Sequence, residues 1–166
     1  MTKLSPRHLN RVALWVSLTA FSVVPATAND WPDWRGPNRD GTSLETGLIA
    51  TWSPDGENLA WRVPYGGRSG PIVNNGHVYI QNAVGEGENL QERLMAFDVS
   101  NGALLWQHRF NVYLSDVPPH RVGWASPVSD VVTGHLYVFG AGGSLLSLTA
   151  HGELRWERSL NEEFGL

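Results

Sequence analysis

The 166-residue chain contains no cysteine. That absence excludes disulfides, thiol nucleophiles, and cysteine-ligated zinc or iron–sulfur centres. It also excludes a lipid anchor of the kind attached to a cysteine at a processing site, so the fold must hold by core packing alone. Lysine is nearly as scarce: Lys3 is the only one, and with Arg7 and Arg11 it lies at the extreme N-terminus. Beyond residue 28 there remain nine arginines against all sixteen carboxylates, a formal charge of −7. An acidic surface without lysine repels phosphate backbones and anionic membrane surfaces, so neither nucleic acid nor a membrane surface is an expected partner. Long apolar runs are missing as well. The stretch Val12–Val24 is mostly apolar but only 13 residues long, short of the roughly 20 that a spanning helix needs.

That stretch reads instead as part of a signal peptide. Lys3, Arg7 and Arg11 supply a positive leading region, and Pro25-Ala26-Thr27-Ala28 supplies the small-x-small cleavage pattern. The expectation is export to the periplasm or outside the cell, without a membrane anchor, with cleavage after Ala28. Residues 29–55 then form a lead-in segment and 56–166 a repeat region.

After residue 28 helical periodicity is nearly absent. Short apolar runs are punctuated by Gly, Pro, Asn and Asp, the all-β pattern. Strands are expected at Leu59–Val63, Pro71–Val73, His77–Asn82, Arg93–Asp98, Ala103–Phe110, Ala125–Val128, His135–Gly140, Leu145–Thr149 and Glu153–Ser159. The runs His77–Ile80 and Leu136–Phe139 are nearly continuous in β-branched and aromatic residues, as in strands covered on both faces.

The runs recur in order. Gly76-His77-Val78-Tyr79-Ile80 matches Gly134-His135-Leu136-Tyr137-Val138, Leu94–Phe97 matches Leu145–Leu148, and Gly102–Trp106 matches Gly152–Trp156. A partial earlier copy ends at Gly56–Trp61. The closing tryptophans are 45 and 50 residues apart, a period that fits four short strands per unit and reads as a propeller blade. Asn101-Gly102 reverses the chain, Asp98 is placed to bond amides around that turn, and Trp106 is expected to lay its indole on the neighbouring blade, burying about 150–250 Å².

The segment Ala96–Trp106 resembles the tryptophan-docking motif of the quinoprotein (PQQ-like) propeller family, matching it at Ala96, Asp98, Gly102 and Trp106, with Asn101 in place of threonine. The second copy keeps Gly152 and Trp156, with Thr149 where aspartate is expected and one turn residue fewer. The opening from Trp31 to Gly41 is similar to the lead-in of secreted PQQ-like repeat proteins. The resemblance implies an all-β, partial β-propeller, about three four-stranded blades of a seven- or eight-bladed ring. It implies PQQ and calcium as cofactors only if the chain is the N-terminal part of a quinoprotein oxidoreductase whose site lies beyond residue 166. The adjacent-cysteine device of many such enzymes is absent, and no ligand positions carry over, so no cofactor is expected of the chain itself. The resemblance also includes a propeller scaffold protein of outer-membrane assembly.

Candidate chemistry is sparse. His77 and His135 occupy equivalent turn positions, while His108 and His151 stand at no metal spacing. His120 and Arg121, in the non-repeating loop 111–124, are the best candidates for a loop site. Asp40-Gly41 and Asp55-Gly56 are turn signals before they are calcium loops, and Gly140–Gly143 joins two strands rather than cradling phosphate. No catalytic residue is assigned. The functional expectation is an interaction or scaffold module, not an enzyme, whose partner is another protein or further blades. Its unpaired edges lead us to expect self-association of the isolated segment.

Overall fold

The computed structural model describes residues 29–53, 55–112 and 117–165. The expected signal peptide lies outside them. Two four-stranded antiparallel sheets follow one another along the chain, each an up-and-down meander. The first consists of β1 (Ile72–Asn74), β2 (His77–Val84), β3 (Gln91–Asp98) and β4 (Leu104–Asn111). The second consists of β5 (Val128–Ser129), β6 (Leu136–Phe139), β7 (Ser144–Leu148) and β8 (Leu154–Ser159), followed by a short helix α1 (Leu160–Phe164). The architecture is that of partial propeller blades.

Eight of the nine expected strands are present, with ends shifted by a few residues at most. The ninth, Leu59–Val63, forms no strand, because no strand lies among the described residues of 29–58 to pair with it. The early partial copy therefore contributes a tryptophan rather than a blade, and the described residues contain two complete blades. The helix α1 was not expected. Ser159 caps it by accepting the Glu162 N–H (3.3 Å), two glutamates stand in its first turn, and Gly165 at φ +64° ends it.

Registers in the two sheets coincide. Ile72, Tyr79, Ala96 and Trp106 form one cross-strand row in the first sheet, and Val128, Tyr137, Ser147 and Trp156 form the same row in the second. Both sheets also break register just before the closing tryptophan, at Leu105 and at Arg155. The bulge adds local twist. The core lies between the sheets. Ile72, Tyr79, Leu94 and Ala96 face Leu136, Val138, Leu146 and Leu148 in one continuous apolar cluster. The opposite face of the first sheet, with Met95 and Phe97, is covered by the segment after residue 58, where Tyr65 packs on Phe97 at 5.7 Å between ring centres.

The lead-in crosses both sheets at their first strands. Trp31 exchanges two backbone hydrogen bonds with Val73 (2.8 and 2.9 Å), and the Pro32 carbonyl accepts from Ser129 N–H at 2.8 Å. These bonds occupy the otherwise open edges of β1 and β5, where unpaired amides would invite foreign strands.

Candidate functional site

The residues singled out in the sequence meet at the seam between repeat units. The Trp106 indole N–H donates to the Ala150 carbonyl at 2.9 Å, and its ring lies so close to Gly152 that a side-chain carbon there would stand 2.6 Å from it. Gly152 has φ +83°, a conformation natural only to glycine. One unit earlier the same arrangement recurs. Trp61 donates to the Val99 carbonyl at 2.8 Å, and its ring covers Gly102 (φ +72°) at 2.7 Å from where a Cβ would be. Trp156 belongs to the same series, but 37 % of it is exposed. Ala96 is buried opposite Trp106 in the cross-strand row.

Asp98 organises the turn before Gly102. Its carboxylate accepts from the Ser100 hydroxyl and, at 2.8 Å, from the Ser100 amide, and these bonds hold its pKa below the ordinary aspartate value. In the second unit the Thr149 hydroxyl takes that part, accepting from His151 N–H (3.3 Å) and Glu153 N–H (3.2 Å). The shorter turn thus keeps its side-chain acceptor without a carboxylate.

A second joint was not visible in the sequence, where the expected strand begins at Arg93 and leaves Glu92 outside it. Glu92 is the second residue of β3 and only 1 % exposed. Its carboxylate accepts from Gly123 N–H (2.7 Å), Ala141 N–H (2.9 Å) and Gln81 Nε2 (3.2 Å). Gln81 also donates to the Phe139 carbonyl at 3.0 Å. Burial raises the Glu92 pKa, and the three donors pull it back in part. Farther along the seam Gly70 N–H donates to Ser126 Oγ (2.7 Å), and Asn74 Nδ2 donates to Ser129 Oγ (2.5 Å). The surroundings of Glu92 do not fit a calcium ion, because N–H groups present their positive ends where a cation would stand. The signal available in the sequence was the alternation Glu92, Leu94, Ala96, which continues the buried face of the strand.

His120 and Arg121 lie in a 3-10 turn, Pro119–Arg121, both exposed. The His120 carbonyl accepts from the Arg68 guanidinium, which ties the loop to the segment before β1. The structure thus places these two residues away from the tryptophan docks. The His77 ring lies tilted beside Tyr79, 5.9 Å between centres at 51°, and His135 donates its backbone N–H to Thr133 Oγ1 at 3.3 Å. His108 stands near Glu157, and burial lowers its pKa. Asp40 closes a local turn onto Thr42 (2.9 Å to its amide). Gly140–Gly143 is a tight turn closed by Gly140 N–H to the Ser144 carbonyl at 2.8 Å.

One rim of the seam carries exposed indoles. A side chain at Gly70 would come within 3.6 Å of Trp34 Cβ and 3.2 Å of Ser126 Oγ, so Trp34 sits at the joint between the sheets, and Trp124 stands two residues before Ser126. Trp34 is 64 % and Trp124 54 % exposed, and the Arg35 guanidinium lies 5.6 Å from the Trp34 ring centre. On the other side of the lead-in a groove of about 620 Å³ is bordered by Trp31, Leu44, Val73, Val99 and Val131.

The PQQ-like repeat model described as outer membrane protein assembly factor BamB matches residues 41–165. No curated protein matches the chain. Among the described residues no helix is long and apolar enough to cross a membrane.

Proposed function

The chain belongs to the PQQ-like repeat family described as outer membrane protein assembly factor BamB, and from that premise we propose that it is an exported protein-interaction or scaffold module without catalysis of its own. One observation carries this reading: Trp34 and Trp124 stand exposed beside the seam between the two sheets. Exposed tryptophans on a rigid framework are the side chains that anchor protein partners, because each buries a large area with little loss of rotamer freedom. The buried polar groups, Glu92 and Gln81 above all, join one sheet to the next instead of converging on a cavity. The compartment is the periplasm or the exterior, reached through the leader ending at Ala28.

The test is site-specific photocrosslinking in the exporting cell. Probes replacing Trp34 and Trp124 are expected to give an adduct with the same identified protein, and a probe at the exposed Glu153 is expected to give none. Intact-mass measurement of the exported form is expected to begin at Asn29. Titration of the same material with PQQ and calcium is expected to leave the quinone absorbance unchanged. Saturable, stoichiometric binding would establish the quinoprotein alternative in its place.

A further inference from the structure

The sequence contains two Asn-Gly pairs, Asn75-Gly76 and Asn101-Gly102, and each reverses the chain between two strands of the first sheet. In such a pair the side-chain amide is open to attack by the next backbone nitrogen, because glycine puts no Cβ in the way. The surroundings of the two pairs differ in every respect that governs this reaction. At Asn101 the reacting atoms are tied down. Gly102 N–H donates to the Asp98 carbonyl at 2.9 Å, Asn101 Oδ1 accepts from Ala103 N–H at 2.8 Å, and Gly102 is buried against the Trp61 ring.

At Asn75 the same atoms are free. Asn75 and Gly76 are both exposed. Among the described residues neither the Gly76 N–H, the Asn75 carbonyl nor the Asn75 side-chain amide has a hydrogen-bond partner. The backbone is also one rotation from the reactive shape. Asn75 has φ +49° and Gly76 φ +76°, and with Asn74 paired to His77 they form a two-residue type I′ turn. Turning the single peptide unit between them gives the type II′ turn, in which the first residue keeps its φ and takes a ψ of about −120°. At that ψ the Asn75 Cβ and the Gly76 nitrogen are eclipsed, as a five-membered ring requires. The groups that swing are the unbonded carbonyl and N–H, and glycine accepts both end points.

We propose that Asn75 is a site of spontaneous deamidation, and that its conversion loosens the lead-in from β1. The Gly76 nitrogen gives up its proton to solvent and bonds to Asn75 Cγ. The bond from Cγ to Nδ2 breaks, and ammonia leaves with a proton taken from water. Water then opens the resulting succinimide, at Cγ to give aspartate or at the main-chain carbonyl carbon to give isoaspartate. One water is consumed and one ammonia released, with no oxidation or reduction. The position of the turn gives the reaction a consequence. Asn75 N–H donates to the Asp30 carboxylate at 3.0 Å, and Asp30 precedes Trp31, which exchanges backbone bonds with Val73. Either product sets a second carboxylate beside that of Asp30, where like charges repel. Isoaspartate also lengthens the main chain of a two-residue turn by one carbon. The strap that covers the β1 edge is thereby weakened.

The experiment holds the purified chain at mildly alkaline pH, folded and in urea. Peptides carrying the two pairs are followed by mass spectrometry, with fragmentation that separates aspartate from isoaspartate. In the folded chain Asn75 is expected to convert about tenfold faster than Asn101, because Asn101 must first lose two hydrogen bonds. In urea the two rates are expected to converge. Equal rates in the folded chain, or a ratio that urea leaves unchanged, overturn the assignment of the site. The isoaspartate form, separated by ion exchange, is expected to exchange the amide hydrogens of Trp31 and Val73 several-fold faster than the parent, and those of Leu146 and Leu148 at the parent rate. Unaltered exchange at Trp31 and Val73 overturns the loosening of the lead-in.

Discussion

At Gly152 two demands meet: a backbone at φ +83° and an indole ring 2.6 Å from where a side-chain carbon would stand. Gly41 has nearly the same backbone angle, +80°, with nothing nearby. The pair separates conformational strain from loss of the dock. Gly41→Ala is expected to lower stability by about 1–2 kcal/mol, the cost of a left-handed conformation for an L-residue. Gly152→Ala adds the displacement of Trp106 and is expected to reach about 3–5 kcal/mol, in the range of large core disruptions. Urea unfolding of the two variants side by side measures the difference, and equal costs would mean that the indole contributes nothing.

Glu92 supplies the second residue-scale prediction. Its folded-state pKa is raised, with burial the largest cause, so the folded chain holds this proton more tightly than the unfolded chain. The contribution is fully present below the unfolded carboxylate range and is lost as pH rises through the folded value. Glu92→Gln removes the titration and leaves every other group in place. The stability advantage of the parent over Glu92→Gln is therefore expected to narrow as pH rises from 4 to 8 in paired denaturation curves. An advantage that widens would show that the three N–H donors outweigh burial. The sequence concealed this residue for a simple reason. It stands at the end of an acidic, glycine-rich run, and composition there says loop, while the period of two that places it on the buried face begins with Glu92 itself.

At the scale of elements, most of the fold was readable because strand, turn and aromatic recur together. The matched registers of the two rows were implicit in the alignment of Tyr79 with Tyr137 and of Trp106 with Trp156. Leu59–Val63 misled because strand propensity describes a segment, whereas a strand also needs a neighbour to bond. The partnership that its tryptophan does make, with the Val99 carbonyl, is 38 residues away in sequence. Helix α1 was missed because the signals at Ser159 and Gly165 bracket only five residues. The three equivalent tryptophans should therefore differ. Trp106→Ala opens the joint between two formed sheets and is expected to cost about 3–5 kcal/mol. Trp61→Ala uncovers one face of the first sheet and is expected to cost less. Trp156→Ala, at the open face, is expected to cost least, about 1 kcal/mol, the value of its packing on Tyr137. A thermal melt of each variant checks the order Trp106, Trp61, Trp156.

For the whole molecule, the question is what an arc of two sheets does with its open surfaces. The lead-in pairs with β1 and bonds to β5, so the inner edges are protected. The outer strands β4 and β8 and the face around Trp156 have no such cover among the described residues, and they carry exposed apolar side chains, Leu104, Leu105, Leu154 and Trp156 among them. Against association stands the charge of −7 on the segment beyond residue 28, which makes copies repel one another over about 10 Å at 0.1 M salt. Association of purified 29–166 is therefore expected to be weak at low ionic strength and to rise steeply as salt shortens that reach, with apolar contact then dominating. Light scattering against protein concentration at two salt levels measures it. Trp156→Arg is expected to suppress the association at both salt levels while lowering the melting temperature no more than Trp156→Ala does, because it adds a charge to a face that the folded chain leaves open. A segment that stays monomeric at high salt and unfolds in one cooperative transition would mean that two sheets and their lead-in suffice as a domain.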